Sequence, residues 1–409
     1  MNIVIVNDSA TINGGAAKVA LTEAKALAEC GHKVHLLCGA GPIAADLAST
    51  RNLVIHQLDI PDINVDPSRI RAMSLGLWNP GAHRFTQELL LSLDATQTVV
   101  HAHSWTRALT SSVLQAALES RCSVVLTLHD YLMGCPQGTF FQQRKGCPCT
   151  LVPMGISCLA SNCDTKGYTH KLWRAGRKFV QDKVSGAPRN IRNFIYLSNA
   201  SLNQLKPYLP PDANYYRLPN PIDVQRLTPA AVERSDIFCF AGRFVPEKGA
   251  LLFAQAAQAQ AISARFIGDG PQRDQIVRIM PSAQMSGWMN SWDLSRALRD
   301  ARALIFPSVW NEVLGLTVLE AAAQGVPSIV PKGCGAEESV LDGITGLHFE
   351  SGNASDLEAK ISMLKDPVFA AKLGREAYET FWSTKEWTMA KHIENLEAIY
   401  GEILEKRQS

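Results

Sequence analysis

Short apolar runs alternate with helix-patterned segments along this chain, and the series runs twice. In the first half the apolar runs fall at residues 2–6, 34–38, 53–58, 98–102, 123–128 and 194–197. Between the first two, Gly14-Gly15 opens a segment with Ala17, Ala20, Leu21, Ala24, Leu27 and Ala28 on one helical face. A second helical stretch, 108–118, separates the fourth and fifth runs. The second half repeats the scheme, with strands expected at 237–241, 264–267, 283–286, 303–307 and 327–330. Helices are expected between them at 251–259, 271–279, 291–299 and 316–324. Strand, helix, strand in repetition predicts parallel strands joined by right-handed crossovers. Two such series predict two Rossmann-like, doubly wound α/β domains facing across a cleft. Pro219-Asn220-Pro221 interrupts the pattern and marks the join. The expected domains are therefore 1–220 and 221–383. A long terminal helix, 384–409, carries Ala390, Ile393, Leu396 and Ile399 on one face and is expected to cross back onto the first domain.

Ligands in such sheets bind beyond the carboxyl ends of the strands, so those are the residues to read. Composition narrows the ligands. Forty Lys+Arg against 38 Asp+Glu leave a net charge of +2, which argues against a nucleic-acid partner. No stretch is long and apolar enough to span a bilayer. The opening Met1–Val6 has neither a basic leader nor a cleavage site, so a cytoplasmic location is expected, extending to peripheral contact with the inner face of a membrane.

At the first strand end, Gly14-Gly15 lets backbone N–H groups approach an anion at a helix start. It is not the G-x-G-x-x-G of a dinucleotide fold. His101 and His103 end one strand and His129-Asp130 the next. Each histidine read alone is a strand-end residue bonded to backbone. Histidines at two adjacent strand ends suggest hydrogen bonds to a sugar hydroxyl in the cleft. In the second half, Gly242-Arg243 ends a strand and Glu247-Lys248-Gly249 opens a helix. Arg243 and Lys248 can reach one diphosphate, or stand as two solvated cations. Gly268-Asp269-Gly270-Pro271 ends the following strand, with Pro271 suited to a first helical position. The sharpest motif runs from Asn311 to Ala321. Glu312 follows a strand and Glu320 sits eight residues on, inside an otherwise apolar helix. Gly315 between them lets the backbone of Leu314, Gly315 and Leu316 approach a ligand closely.

Ten cysteines are unevenly spread. Cys30, Cys38, Cys122, Cys239 and Cys334 read as small buried hydrophobes. Cys135, Cys147, Cys149, Cys158 and Cys163 lie in a Gly- and Pro-rich loop, 131–165. In a reducing compartment, clustered thiols suggest ligation rather than disulfides. The C-x11-C-x-C-x8-C-x4-C spacing matches no standard zinc finger. Four of the five thiolates are nevertheless expected to close one structural zinc site, with Cys147 and Cys149 competing for one place. An iron–sulfur centre has no matching spacing here. The opposing reading is a loop of reduced thiols without metal.

Together these motifs resemble the retaining glycosyltransferases of family 4, which have the GT-B fold. The resemblance covers nearly the whole chain. It is carried by Gly242-Arg243 with Glu247-Lys248-Gly249, Gly268–Pro271, the Glu312/Glu320 pair, Gly325-Val326-Pro327 and Thr345-Gly346-Leu347. It implies transfer of a sugar from a UDP- or GDP-sugar to a sugar or lipid-linked hydroxyl with retained anomeric configuration. Arg243 and Lys248 would hold the donor diphosphate, Glu320 the ribose and Glu312 the donor sugar. Amides near Leu314–Leu316 would lie close by, together with Gly268, and Gly15 would approach from the first domain. His103 matches the family's H-x-H position, and His129 is a second candidate. No cofactor is implied for the transfer itself. The chain departs from the family pattern at Leu314 (usually Phe), Gly335-Ala336 (usually Gly-Gly) and Asn220-Pro221 (usually Asn-Gly). A nucleotide-sugar epimerase or phosphorylase on the same architecture, or an inactive glycan-binding relative, is the competing reading.

One segment stands apart. From Lys166 to Arg192 eight cations accompany a single acid, Asp182, with Leu172, Trp173, Phe179 and Val180 interleaved. At helical spacing this is the pattern of an interfacial helix that docks on an anionic membrane. The plainer reading is an amphipathic helix packed on the first domain with Trp173 and Phe179 in the core.

Overall fold

The computed structural model describes residues 1–408. Its first sheet contains strands β1 (Asn2–Val6), β2 (Lys33–Cys38), β3 (Leu53–Gln57), β4 (Thr98–Ala102), β5 (Ser123–Thr127), β8 (Asn193–Tyr196) and β9 (Asn214–Arg217). They are all parallel, in the order β3-β2-β1-β4-β5-β8-β9. A two-stranded hairpin, β6 (Phe141–Gln142) and β7 (Cys147–Pro148), interrupts the series between β5 and β8. The second sheet contains β10 (Ile237–Ala241), β11 (Ser263–Ile267), β12 (Gln284–Gly287), β13 (Ala303–Ile305), β14 (Ser328–Pro331) and β15 (Gly346–Phe349), in the order β12-β11-β10-β13-β14-β15.

The central strands are β-branched and buried on both faces, which is why they read as unbroken apolar runs. Ile3 pairs with Val34 on one side and Val99 on the other, and all three are fully buried. In each sheet the strand order reverses once, between β1 and β4 and between β10 and β13. A crevice opens at such a reversal. The two crevices set the places where Gly15, His103, Arg243, Lys248 and Glu312 emerge.

Three features differ from the sequence expectation. The edge strands β9 and β15 were not anticipated: β9 reads Asn-Tyr-Tyr-Arg, half-buried and polar at both ends. The tail is two helices, Pro367–Thr384 and Met389–Gln408. Lys385 in the left-handed region (φ 53°) ends the first, and the buried Trp387, stacked on Phe381 and accepting Ile222 N–H through its carbonyl, pins the break. Cys30, expected to be buried, is exposed at the end of the helix Gly15–Glu29. The terminal helix lays Ile393, Leu396, Tyr400, Ile403 and Leu404 onto Ile3, Ile5, Val99, Val125 and Ile195 of the first sheet. Among the described residues, no helix is long and apolar enough to cross a membrane.

Candidate active site

The loop after β13 carries Glu312. Its carboxylate is buried, and Oε1 accepts from Ser308 Oγ at 2.9 Å and from Lys248 Nζ at 2.5 Å. Among the described residues Oε2 has no protein partner, which leaves it free to accept from a ligand. Lys248 Nζ also lies over the Trp310 ring, 5.5 Å from its centre. Arg243, in the loop after β10, is exposed and among the described residues makes no ion pair or side-chain hydrogen bond. The site therefore holds one cation neutralised by a carboxylate and one free to meet an anion.

Glycines bring these loops together. Gly249 sits at φ 69°, where a Cβ would stand 1.9 Å from the Pro307 carbonyl oxygen. The Lys248 turn thus packs directly on the end of the β13 segment. A Cβ on Gly268 would lie 2.0 Å from Gly242 O, and one on Gly270 2.6 Å from Phe244 O, so the Gly-Asp-Gly turn props the Arg243 loop from behind. Gly315 and Gly335 let the Glu312 loop pack against the 333–336 turn, where Gly335 N–H donates to Glu312 O at 2.7 Å.

Glu320 lies one helix turn into Leu316–Gln324, half-buried. Burial pushes its carboxyl up to about 7, opposed by the Lys18 ammonium. Lys18 comes from the first domain: it projects from the helix opened by Gly14-Gly15, and its Nζ donates to Ser291 Oγ at 3.2 Å. A Cβ on Gly15 would lie 3.6 Å from Leu316 Cδ1. The helix start at Gly15 and the helix start at Leu316 thus face each other across the cleft. The carbonyls flanking Glu312 are gripped from the first domain as well. Tyr131 Oη donates to Asn311 O at 2.7 Å, and Ser198 Oγ to Val313 O at 2.6 Å.

The histidines occupy a different environment from the open cleft expected of them. His101 and His103 are almost fully buried, 1% and 3% exposed. His103 Nδ1 meets His129 Nε2 at 2.9 Å, and its Nε2 lies 3.2 Å from both His101 Nδ1 and Glu23 Oε2. Glu23 Oε1 is 2.8 Å from His392 Nε2, and His392 Nδ1 lies 3.1 Å from the Pro219 carbonyl. His101 Nδ1 meets Tyr400 Oη at 2.6 Å. The H-x-H pair is thus the centre of a sealed network, tied to the interdomain linker and to the terminal helix. The reason is the helix Met389–Gln408, which covers the strand ends that sequence reasoning left open. The Glu23 carboxyl is held well below its ordinary range against the cost of burial, with His103 the first opposing influence and His392 the next. Burial, reinforced by His103, pushes the half-buried His129 down to about 3 and keeps it neutral. His129 and His103 line a narrow pocket with Ser104, Trp105 and Asp130. Of this network only His101, His103 and His129 had been singled out by sequence. Glu23 and His392 carried no local signal, and neither did Lys18, Ser308 or Tyr131.

The basic segment forms the helix Tyr168–Lys183, and neither sequence reading of it holds in full. Phe179 is exposed and Trp173 half-buried, so they are not core. Lys171 and Lys178 are buried rather than presented to a surface. The helix turns Leu172 and Phe179 outward on one face, and Val184, just beyond its end, is exposed on another side.

Two parallel, doubly wound sheets facing each other across one cleft define the GT-B architecture. Over residues 13–226, more than half its length, the chain matches the family described as Glycosyltransferase Family 4, and it belongs to that family. Residues 223–380 match Glycosyl transferases group 1. Among curated relatives, a GDP-mannose-dependent monoacylated alpha-(1-6)-phosphatidylinositol monomannoside mannosyltransferase of Corynebacterium glutamicum is 28% identical over 221 residues, 46% of this chain and 58% of that one. A glycogen synthase of Mycobacterium tuberculosis is 31% identical over 127 residues, 29% of this chain and 30% of that one. The chain thus spans less than two thirds of the length of these relatives. Of solved structures, sucrose-phosphate synthase from Thermosynechococcus elongatus superposes with a TM-score of 0.73 at 15% identity, covering 99% of both chains. Anabaena Alr3699/HepE, solved with UDP and glucose, gives 0.68 at 16%, covering 98% of this chain and 100% of that one.

Proposed function

We propose that this chain transfers a sugar from a nucleotide-diphosphate sugar, UDP- or GDP-linked, to an acceptor hydroxyl with retention at the anomeric carbon. The observation that carries this reading is the Lys248–Glu312 pair, set between an unpaired Arg243 and two facing helix N-termini. Negative charge develops on the leaving diphosphate, and preorganised cations and backbone N–H groups are the means of stabilising it. Arg243 supplies a planar fork of donors and Lys248 a compact charge. Glu312, with Oε1 engaged by Ser308 and Lys248, presents Oε2 to a hydroxyl of the sugar. Glu320, when ionised, accepts from the two ribose hydroxyls. In this reading Arg243 and Lys248 supply the positive charge that meets the phosphates.

The acceptor side belongs to the first domain, where His129 and Asp130 line the pocket at the end of β5. The relative from Corynebacterium glutamicum is named for a lipid-linked acceptor, which supports a glycolipid or surface-polysaccharide role here. The exposed Leu172 and Phe179 fit peripheral contact with the inner face of a membrane, by apolar insertion more than by charge. A thermal-shift screen of UDP, GDP and their sugars tests the donor assignment. A donor at 100 times its Kd stabilises by about 2.7 kcal/mol, and failure of every nucleotide sugar to shift the transition refutes it. Anomeric configuration of the product, read by NMR, tests retention.

A further inference from the structure

Glu23 and His392 take no part in the donor chemistry above, yet both are almost fully buried and both reach the histidine network at the ends of β4 and β5. We propose that they are positioning residues for His129. Through His103 they hold the His129 ring with its proton on Nε2, which leaves a bare Nδ1 to accept a hydrogen bond from a sugar hydroxyl in the first-domain pocket. The hydroxyl rests on the glycosyl-transfer reading; the proton positions follow from the network alone.

The protons are fixed from one end of the network. A main-chain carbonyl and a carboxylate only accept hydrogen bonds. His392 Nδ1 faces the Pro219 carbonyl at 3.1 Å, and its Nε2 faces Glu23 Oε1 at 2.8 Å. The ring therefore donates from both nitrogens, and Glu23 is the buried anion that balances it. The second carboxylate oxygen, Oε2, has no other hydrogen-bond partner among the described residues. The ring nitrogens beside it are His103 Nε2 at 3.2 Å and His101 Nδ1 at 3.6 Å. His101 is already engaged at both nitrogens, by Tyr400 Oη and by Thr127 Oγ1, each at 2.6 Å. A bare His103 Nε2 would set its lone pair against a buried carboxylate oxygen, so Nε2 carries the proton.

One carboxylate does not balance two buried cations, so His103 is neutral and its Nδ1 is bare. His129 Nε2 lies 2.9 Å from that nitrogen, with the ring centres 5.2 Å apart and the ring planes inclined by 26°. That is an end-on N–H···N bond in which His129 is the donor. His129 is kept neutral by burial and then by His103, so its remaining nitrogen, Nδ1, has no hydrogen. Among the described residues nothing bonds Nδ1. The ring is half-buried and lines the narrow pocket with Ser104, Trp105 and Asp130. It orients a hydroxyl by accepting its hydrogen bond and takes no proton from it. A neighbour sets the tautomer of a histidine through the nitrogen it holds. Here the line of control runs from Pro219 in the interdomain linker and from the terminal helix to a pocket residue after β5.

Nitrogen NMR of the full chain carrying isotope-labelled histidine tests the tautomer, with the His129 signals assigned by their loss in His129→Gln. A protonated Nε2 and a bare Nδ1 are expected in wild type, and a protonated Nδ1 overturns the proposal. The double variant Glu23→Leu/His392→Leu removes both buried charges together, which folded proteins tolerate better than the loss of one. It should lose the single tautomer. It should also lower kcat by about 10–100-fold, as loss of an outer partner does, with the donor KM near that of wild type. Turnover is read as release of UDP or GDP from the nucleotide sugar selected by thermal shift. An unchanged tautomer, or an unchanged kcat beside a lost tautomer, overturns the positioning role. Loss of donor binding equal to the loss of kcat marks general damage to the structure and overturns it too. If far-UV circular dichroism shows the double variant unfolded, the wild-type tautomer decides alone. If no nucleotide sugar binds wild type, the transfer reading fails while the tautomer is still decided, so the two failures are distinguishable.

Discussion

Replacing Glu320 with Gln separates donor binding from folding. In the folded chain burial lifts this carboxyl to about 7, from an ordinary 4.5. The folded state therefore keeps a proton there that the unfolded chain gives up near pH 4.5. Between those values folding retains the proton, so stability falls as pH rises through the window. Above pH 7 the ionised carboxylate costs the folded state roughly 3 kcal/mol, at 1.36 kcal/mol per unit of displacement. The group opens partly to the cleft and lies near Lys18, so about 1–2 kcal/mol is the expected measurable part. Gln keeps the shape and loses the charge. Glu320→Gln should therefore be more stable than wild type at pH 8.5 and nearly equal to it at pH 5, in urea unfolding followed at the second-domain transition. The same variant should bind UDP or GDP more weakly, since a carboxylate accepts two ribose hydroxyls and an amide oxygen only one as well. A stability cost retained for binding is a common property of functional sites. A variant no more stable at pH 8.5 than wild type, or one that binds the nucleotide unchanged, would refute the reasoning.

Other outcomes follow from the same geometry. Arg243→Ala and Lys248→Ala should each lower kcat by about 10²–10³, as loss of one preorganised charge contact does, Arg243→Ala with little change in unfolding and Lys248→Ala with a loss of stability because the buried Glu312 carboxylate loses its partner; near-normal turnover in both would remove the diphosphate assignment. Gly249→Ala places a methyl against the Pro307 carbonyl at a left-handed position, so it should impair turnover through the displaced Lys248, read as a kcat loss that Gly→Ala at the unobstructed Gly352 does not show. Glu23→Ala leaves His103 and His392 without their buried anion and should destabilise by about 3–5 kcal/mol. Because the Glu23 carboxyl is depressed, its contribution is present above the ordinary carboxylate range and is lost as pH falls below it, so wild type and variant should converge in acid titrations of unfolding. Leu172→Asp with Phe179→Asp should reduce sedimentation with vesicles, whereas unchanged binding would place membrane contact elsewhere.

The chain's own order of residues determines the two sheets, because parallel strands buried on both faces need continuous apolar runs and each crossover helix needs an apolar stripe. It also determines the donor loop. Gly249, Gly268 and Gly270 stand where backbone meets backbone, and Arg243, Lys248, Glu312 and Glu320 follow strand ends, so the local text carries them. Edge strands β9 and β15 were illegible because each is four residues long, Asn-Tyr-Tyr-Arg and Gly-Leu-His-Phe, and neither carries an unbroken apolar run. What only the tertiary structure decides is which polar groups meet. Glu23, His103 and His392 come from positions far apart in sequence, and no periodicity links them. Lys171 looked like a surface cation and is buried on sulfur. His101 and His103 seemed to face the cleft until Tyr400 and His392 of the terminal helix joined them in a buried network. A side chain's periodicity reports the face of its own element, but its partner is set by the element packed against that face, and that packing depends on contacts between residues hundreds of positions apart.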